Sequence, residues 1–279
     1  MGELKQRVIV LAGAALLGVV GRDRFYRMAQ DKPNVLGRLA AAFCSGHAGR
    51  LGQNYHIYAE NKNVDRMSAI ARRYYGDDSL HGYGDAEFTR ADGKALVDQQ
   101  RGLVIPLVAA AVERDGPKLV LEIGTGNGDV VAHLAARYPV VRFVGCDLSV
   151  KNAAAKHRLP NLSFVASYAL DLLREGRIAP DAVFASSTFC VFTPGELQGY
   201  LDAMRGVRRL IVSDPVTFGN VHTRDPRPRS RHMDQYMWWH NYFGYFTAAG
   251  FRIEHHETRR FGYSWNRGAR VVIVDGYRG

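Results

Sequence analysis

The sequence predicts an α/β protein: a seven-stranded, mostly parallel sheet ending in an antiparallel C-terminal hairpin, with helices on both faces and a helical N-terminal cap before it. Three observations carry this expectation. Seven short apolar runs follow residue 101, at 119–123, 141–146, 162–166, 182–185, 209–212, 251–255 and 270–274. Most are separated by segments long enough for a helix, which is the pattern of a sheet covered on both faces. Only about fourteen residues, Gly262 and Gly268 among them, lie between the last two runs, so that pair reads as a hairpin. Residues 22–100 show no strand alternation. Their spacing is helical, as at 64–75 (VDRMSAIARRYY), where Val64, Met67, Ile70, Ala71 and Tyr74 share one face. The expected domains are therefore a cap over 1–100 and a core over 101–279.

A chain of 279 residues with 47% apolar content can bury a sizeable core. Its net charge of +10 calls for an acidic partner, whether an anionic small molecule, a nucleic acid or a membrane surface. Cys44, Cys146 and Cys190 are odd in number and far apart, which argues against a disulfide framework or a zinc site and for a reducing compartment. Residues 8–20 (VIVLAGAALLGVV) are almost wholly apolar, with Lys5 and Arg7 before them and Arg22, Arg24 and Arg27 after. A spanning helix needs about 20 apolar residues, so this run reads as a buried or partner-packed helix, with a membrane-surface anchor and an uncleaved signal as the competing readings.

The chemistry starts at residues 120–129, VLEIGTGNGD. An apolar run, three alternating glycines and a helical stretch (VVAHLAARY) in succession make a strand, a tight turn and a helix start. Glycine lets a ligand approach the main chain, and free N–H groups at a helix start favour electron-rich atoms. The dinucleotide fingerprint G-x-G-x-x-G fails in both registers, at Asp129 counting from Gly124 and at Val131 counting from Gly126. Asp147 closes the second run nineteen residues past Gly128, where a carboxylate can accept from ribose hydroxyls.

Glu122, Gly124, Gly126 and Gly128 together resemble the first motif, E/D-x-G-x-G-x-G, of the class I S-adenosylmethionine-dependent methyltransferases. The resemblance covers 101–279 and implies S-adenosylmethionine as cofactor. It places Glu122, Gly124, Thr125, Gly126, Gly128, Asp147, Leu148, Ser167, Tyr168 and Ser186 at the cofactor, with Glu122 at its methionine amino end, Asp147 at the ribose, and Tyr168, with Ser167 beside it, at the adenine amine. An Asp is more usual in the family where Tyr168 stands. Glu122 has a second role open to it, satisfying the turn's own N–H groups, and Asp147 has one as a helix N-cap. The segment 74–84 (YYGDDSLHGYG) weakly resembles one that covers the donor in methyltransferases of sterols and tocopherols, which would put His81 and Tyr83 over the cofactor.

Ligands of open α/β sheets bind beyond the carboxyl ends of the strands. The fourth run delivers Ser186-Ser187-Thr188-Phe189, without the Asn/Asp-Pro-Pro-aromatic motif of DNA adenine and glutamine methylases. The fifth delivers Ser213-Asp214-Pro215 and then a long insert, 216–239, carrying His222, Arg224, Arg227, Arg229, Arg231, His232, Tyr236, Trp238 and Trp239. Loops of that length are usually functional or disordered. His240-Asn241-Tyr242-Phe243 follows as the start of a helix. The candidate bases are His240, His222 and Asp214; Arg227, Arg229, Trp239 and Tyr242 are the candidate acceptor contacts, and no metal site is expected. The expectation is a cytoplasmic methyltransferase acting on a small hydroxylated, anionic or amphipathic molecule, O-methylation favoured, with membrane association through 8–20 and homo-oligomerisation compatible with it. The competing class is an RNA methylase or nucleic-acid binder of the same fold. A dehydrogenase is a remote third.

Overall fold

The structure is a computed structural model that describes residues 91–216, 224–234, 237–260 and 270–279, together with short helical pieces between residues 12 and 40. The chain forms two compact units, one of Met1–Met67 with Met233–Met237, the other of Ser68–His232 with Trp238–Gly279. In the first, Gly13, Phe25 and Ala40 are buried while Val19, Val35 and Leu36 face solvent. The helical spacing expected at 64–75, the segment 74–84 with His81 and Tyr83, His222 and Tyr236 all lie outside the described residues.

The second unit is built on a seven-stranded sheet. Its elements run α1 (Ala91–Asp115), β1 (Leu119–Ile123), α2 (Asp129–Arg137), β2 (Arg142–Asp147), α3 (Lys151–Lys156), β3 (Leu162–Ala166), α4 (Ala169–Arg174), β4 (Ala182–Ser186), a single 3₁₀ turn (Phe189–Val191), α5 (Pro194–Ala203), β5 (Arg209–Val216), β6 (Ser230–Asp234), β7 (Met237–His240), α6 (Tyr242–Ala248), β8 (Arg252–Arg260) and β9 (Arg270–Tyr277). The strand order is β3-β2-β1-β4-β5-β9-β8. Strands β1 to β5 pair in parallel, and β9 is antiparallel to both β5 and β8. Every apolar run expected to be a strand is one. Helix α1 crosses residue 100 without a break.

Side chains alternate along each strand, so the sheet feeds two cores. Leu121, Ile123, Val183, Ala185, Leu210 and Val212 pack with α4, α5 and α6. Val120, Phe143, Phe184 and Ile211 pack on the other face with Val104 and Val108 of α1 and Val131 and Leu134 of α2. The winding direction reverses between β1 and β4, and the crevice beyond the carboxyl ends of such a pair is where open α/β sheets hold ligands. At the opposite end, the Arg209 guanidinium is buried against Asp115 (2.8 Å), Asp275 (2.9 Å) and Glu254 (2.6 Å), joining α1, β5, β8 and β9.

Candidate active site

The glycine turn after β1 is fastened to the end of β2. Gly124 and Thr125 donate their N–H groups to the Cys146 carbonyl (2.8 and 3.2 Å), and Gly126 donates to Asp147 Oδ2 (2.8 Å). All three glycines have positive φ, +75°, +53° and +76°, a region where a side chain is costly. Their surroundings differ. A Cβ on Gly124 would stand 2.1 Å from Thr188 Oγ1, and one on Gly128 would stand 2.7 Å from the Phe164 ring, whereas one on Gly126 would meet nothing within 4 Å. Gly126 alone of the three leaves its open side to a ligand.

Two carboxylates flank that opening. Glu122 is buried at the end of β1, where Thr125 Oγ1 donates to its Oε2 (2.6 Å). Burial pushes its pKa up to about 8 against these hydrogen bonds. Asp147, half-buried, also accepts from Leu148 N–H (2.7 Å). The N-cap of α3 is Val150, so Asp147 serves the glycine turn and its own loop instead of capping that helix. Ser167 joins the group, its N–H donating to the Asp147 carbonyl (2.9 Å). Asp129, where the dinucleotide fingerprint fails, pairs with Lys156 and His157 at the end of α3.

Tyr168 points elsewhere. Its hydroxyl donates to Glu196 Oε1 (2.6 Å), a carboxylate that also completes the capping box of α5 with Thr193, and its ring meets Phe192 and Tyr200 edge-on. The phenol is thus engaged in the core.

At the ends of β4 and β5, Ser186 and Ser213 face each other across one rung, and each has a buried hydroxyl with no hydrogen-bond partner. Such groups cost about 1–3 kcal/mol each unless a water or ligand satisfies them. On the same strand end, Asp214 is fully buried. Its Oδ1 accepts Thr188 N–H (2.9 Å), its Oδ2 accepts the Tyr242 hydroxyl, and burial raises its pKa to about 7.

Both described base candidates are already engaged. His240 Nε2 lies 2.9 Å from the Phe192 carbonyl, which can only accept, so that nitrogen carries the proton. Nδ1 then accepts from Ser230 Oγ (2.7 Å), which in turn receives the Tyr245 hydroxyl (2.8 Å). Burial lowers the imidazole pKa to about 4. A neutral histidine with no free lone pair locks β6, β7 and the segment before α5 together.

The described residues of the insert include regular structure. It contains a two-stranded sheet, β6 with β7, where the sequence reading placed a long loop. Arg227 and Arg229 both lie on Asp225 (2.9 and 3.6 Å), which holds that carboxyl down at about 2. Asn241 caps α6 and donates to the Asp225 and Arg227 carbonyls (2.7 and 3.0 Å). Gly244 sits where a Cβ would stand 2.4 Å from the Arg227 carbonyl oxygen. Tyr242 is buried among Phe189, His240 and Phe246, and Trp239 packs against the larger core. Among the described residues no cluster of three metal-binding side chains occurs.

Thr188, Ser213, Ser230 and Asn241 carry this geometry without standing out in the sequence. Their roles depend on which strand lies beside which, and no local spacing encodes that.

Residues 120–209 match a family model described as a methyltransferase domain. A 173-residue stretch is 30% identical to part of a nonribosomal peptide synthetase from Curvularia clavata, covering 57% of this chain and 1% of the synthetase. Another of 79 residues is 34% identical to a trans-aconitate 2-methyltransferase from Methylobacterium radiotolerans, 28% of this chain and 30% of that protein. The chain spans less than a third of either of these curated relatives. Among solved structures, a 1,6-didemethyltoxoflavin-N1-methyltransferase from Burkholderia thailandensis, bound to 1,6-didemethyltoxoflavin and S-adenosylhomocysteine, superposes with a TM-score of 0.56 at 17% identity, over 77% of this chain and 90% of that one. That likeness is one of fold.

Proposed function

We infer that this chain, a member of the class I S-adenosylmethionine-dependent methyltransferases, transfers a methyl group from that donor to a small-molecule acceptor. The observation that carries the reading is the glycine turn, open at Gly126 and set between Glu122 and Asp147. The donor set suits the cofactor. The Asp147 carboxylate retains acceptor capacity for a ribose hydroxyl, Glu122 suits the ammonium of a methionine end, and the orphaned Ser186 hydroxyl suits one of its polar atoms.

When bound, the donor supplies a sulfonium-borne methyl that an acceptor oxygen, nitrogen or carbon can displace in line. This chain's contribution is orientation, worth roughly 7–11 kcal/mol where the geometry is good. Asp214 and His240 are committed to other hydrogen bonds, so among the described residues neither stands ready to take a proton. An acceptor that already carries its charge, such as a carboxylate, needs no base. This favours an anionic oxygen acceptor.

Labelled donor incubated with the protein and a fractionated cell extract tests the reading: label is expected in the small-molecule fraction. Label in RNA, with binding that weakens steeply with salt, would move the assignment to the nucleic-acid class, for which the net charge of +10 is the main support. Calorimetry with S-adenosylhomocysteine tests the donor directly, and heat with NADH alone would replace it.

The exposed Val19 in the apolar run 8–20 supports peripheral contact with a membrane. No helix among the described residues is long and apolar enough to cross one. Co-sedimentation with anionic vesicles, lost on deleting residues 1–20, is the expected result.

A further inference from the structure

We propose that Asp214 and Tyr242 are positioning residues for the donor: through Thr188 they fix where the glycine turn stands, and they take no proton from the acceptor. This rests on the donor reading above. The connection can be followed atom by atom from α6 to β1. The Tyr242 hydroxyl donates to one oxygen of Asp214, and the other oxygen accepts the Thr188 N–H (2.9 Å). The Phe189 and Cys190 N–H groups also favour the charged form of this carboxylate.

Ser187, within that segment, is the one non-glycine among the described residues with positive φ, +54°. A backbone there is strained and persists only when its surroundings over-determine it. The determinants are visible: Ser187 N–H donates to the Ser213 carbonyl (2.8 Å), and Thr188 Oγ1 donates back to the Ser186 carbonyl (3.1 Å). The result presses the Thr188 side chain onto the face of Gly124, into the space a Cβ would take. Gly124 opens the turn that leads to Gly126, and β4 is the neighbour of β1 at the point where the winding reverses. A shift of Thr188 must therefore move the turn or open a gap beside it.

Asp214→Asn keeps the brace while removing the charge. The amide oxygen can accept the Thr188 N–H while its NH₂ donates to the Tyr242 oxygen, so the brace survives without an ionisable group. Titration calorimetry of the purified full chain with S-adenosylhomocysteine, at a temperature where circular dichroism shows each variant folded, reads the outcome. Asp214→Asn is expected within about threefold of the wild-type Kd, and Asp214→Ala weaker by about tenfold or more. Thr188→Ala, which leaves the buried carboxylate and its tyrosine in place, is expected to weaken binding in the same direction, and serves where Asp214→Ala does not fold. Thr188→Ser is expected to recover part of the loss. Wild-type affinity in a folded Asp214→Ala or Thr188→Ala chain would overturn this inference alone. A wild-type chain that binds no S-adenosylhomocysteine would overturn the donor reading and this inference with it.

Discussion

A Cβ on Gly126 would point into open space, while one on Gly124 or Gly128 would collide with Thr188 or Phe164. Replacing each by alanine therefore separates binding from folding. Gly126→Ala faces only the left-handed backbone penalty, about 1–2 kcal/mol, and is expected to keep a cooperative melt while losing about tenfold or more in S-adenosylhomocysteine affinity. Gly124→Ala and Gly128→Ala add overpacking of about 1–3 kcal/mol, so their melting temperatures should fall furthest. Equal losses of stability in all three would remove the distinction. The sequence made the motif plain at Glu122, Gly124, Gly126 and Gly128, because ligand-approaching backbone needs glycine at fixed spacing. It could not rank the three, since Thr188 and Phe164 reach them from the turn after β4 and from β3.

The strands of the main sheet were legible for the same kind of reason: a parallel strand buried on both faces must be an unbroken apolar run. Strands β6 and β7 were not. Their segments, SRHMD and MWWH, alternate poorly, and what fixes them lies elsewhere, in the Phe192 carbonyl and in Asn241. His240 looked like a base by position. Its partner carbonyl is 48 residues away in the chain, and burial against it is invisible in a linear reading. Asn241 supplies an element-scale test. It holds the 225–229 backbone to α6, and Arg227 and Arg229 are exposed side chains that trypsin recognises. Asn241→Ala should lower stability by about 0.5–2 kcal/mol through the lost cap and speed tryptic cleavage after these arginines, as mapped by mass spectrometry. Unchanged cleavage would mean the clamp holds nothing. At the far end of the strands, Arg209→Ala leaves the buried Asp275 without its cation, while Asp115 and Glu254 keep Arg114 and Arg252, and is expected to cost about 3–5 kcal/mol. Its S-adenosylhomocysteine affinity, measured on folded protein, should stay at the wild-type value because the clamp lies opposite the binding edge.

Stability against pH integrates the buried groups of the whole chain, and their directions conflict. Glu122 rises from 4.5 to about 8 and Asp214 from 3.8 to about 7. Each holds its proton more tightly in the fold, so each favours the native state fully below its unfolded pKa and loses that contribution as pH climbs through its folded value. His240 falls from 6.5 to about 4, so the unfolded chain takes up its proton first and stability from this group is gained between about pH 4 and 6.5. Below pH 6.5 the histidine offsets the carboxylates. Above it the histidine is neutral in both states, and the carboxylates act alone. The stability of the ligand-free protein is therefore expected to fall from pH 6.5 to pH 8 by an amount on the order of a kcal/mol per pH unit per group, and its melting temperature with it. Glu122→Gln removes the later of the two contributions while still accepting the Thr125 hydroxyl, so its melting curve should be flatter above pH 7, where Asp214 is already half ionised. Saturating S-adenosylhomocysteine should flatten the wild-type curve as well, because an ammonium beside Glu122 stabilises its charged form. Parallel slopes for wild type and Glu122→Gln between pH 7 and 8 would show that Glu122 is already ionised in the ligand-free fold, and the ligand would then leave this pH dependence unchanged.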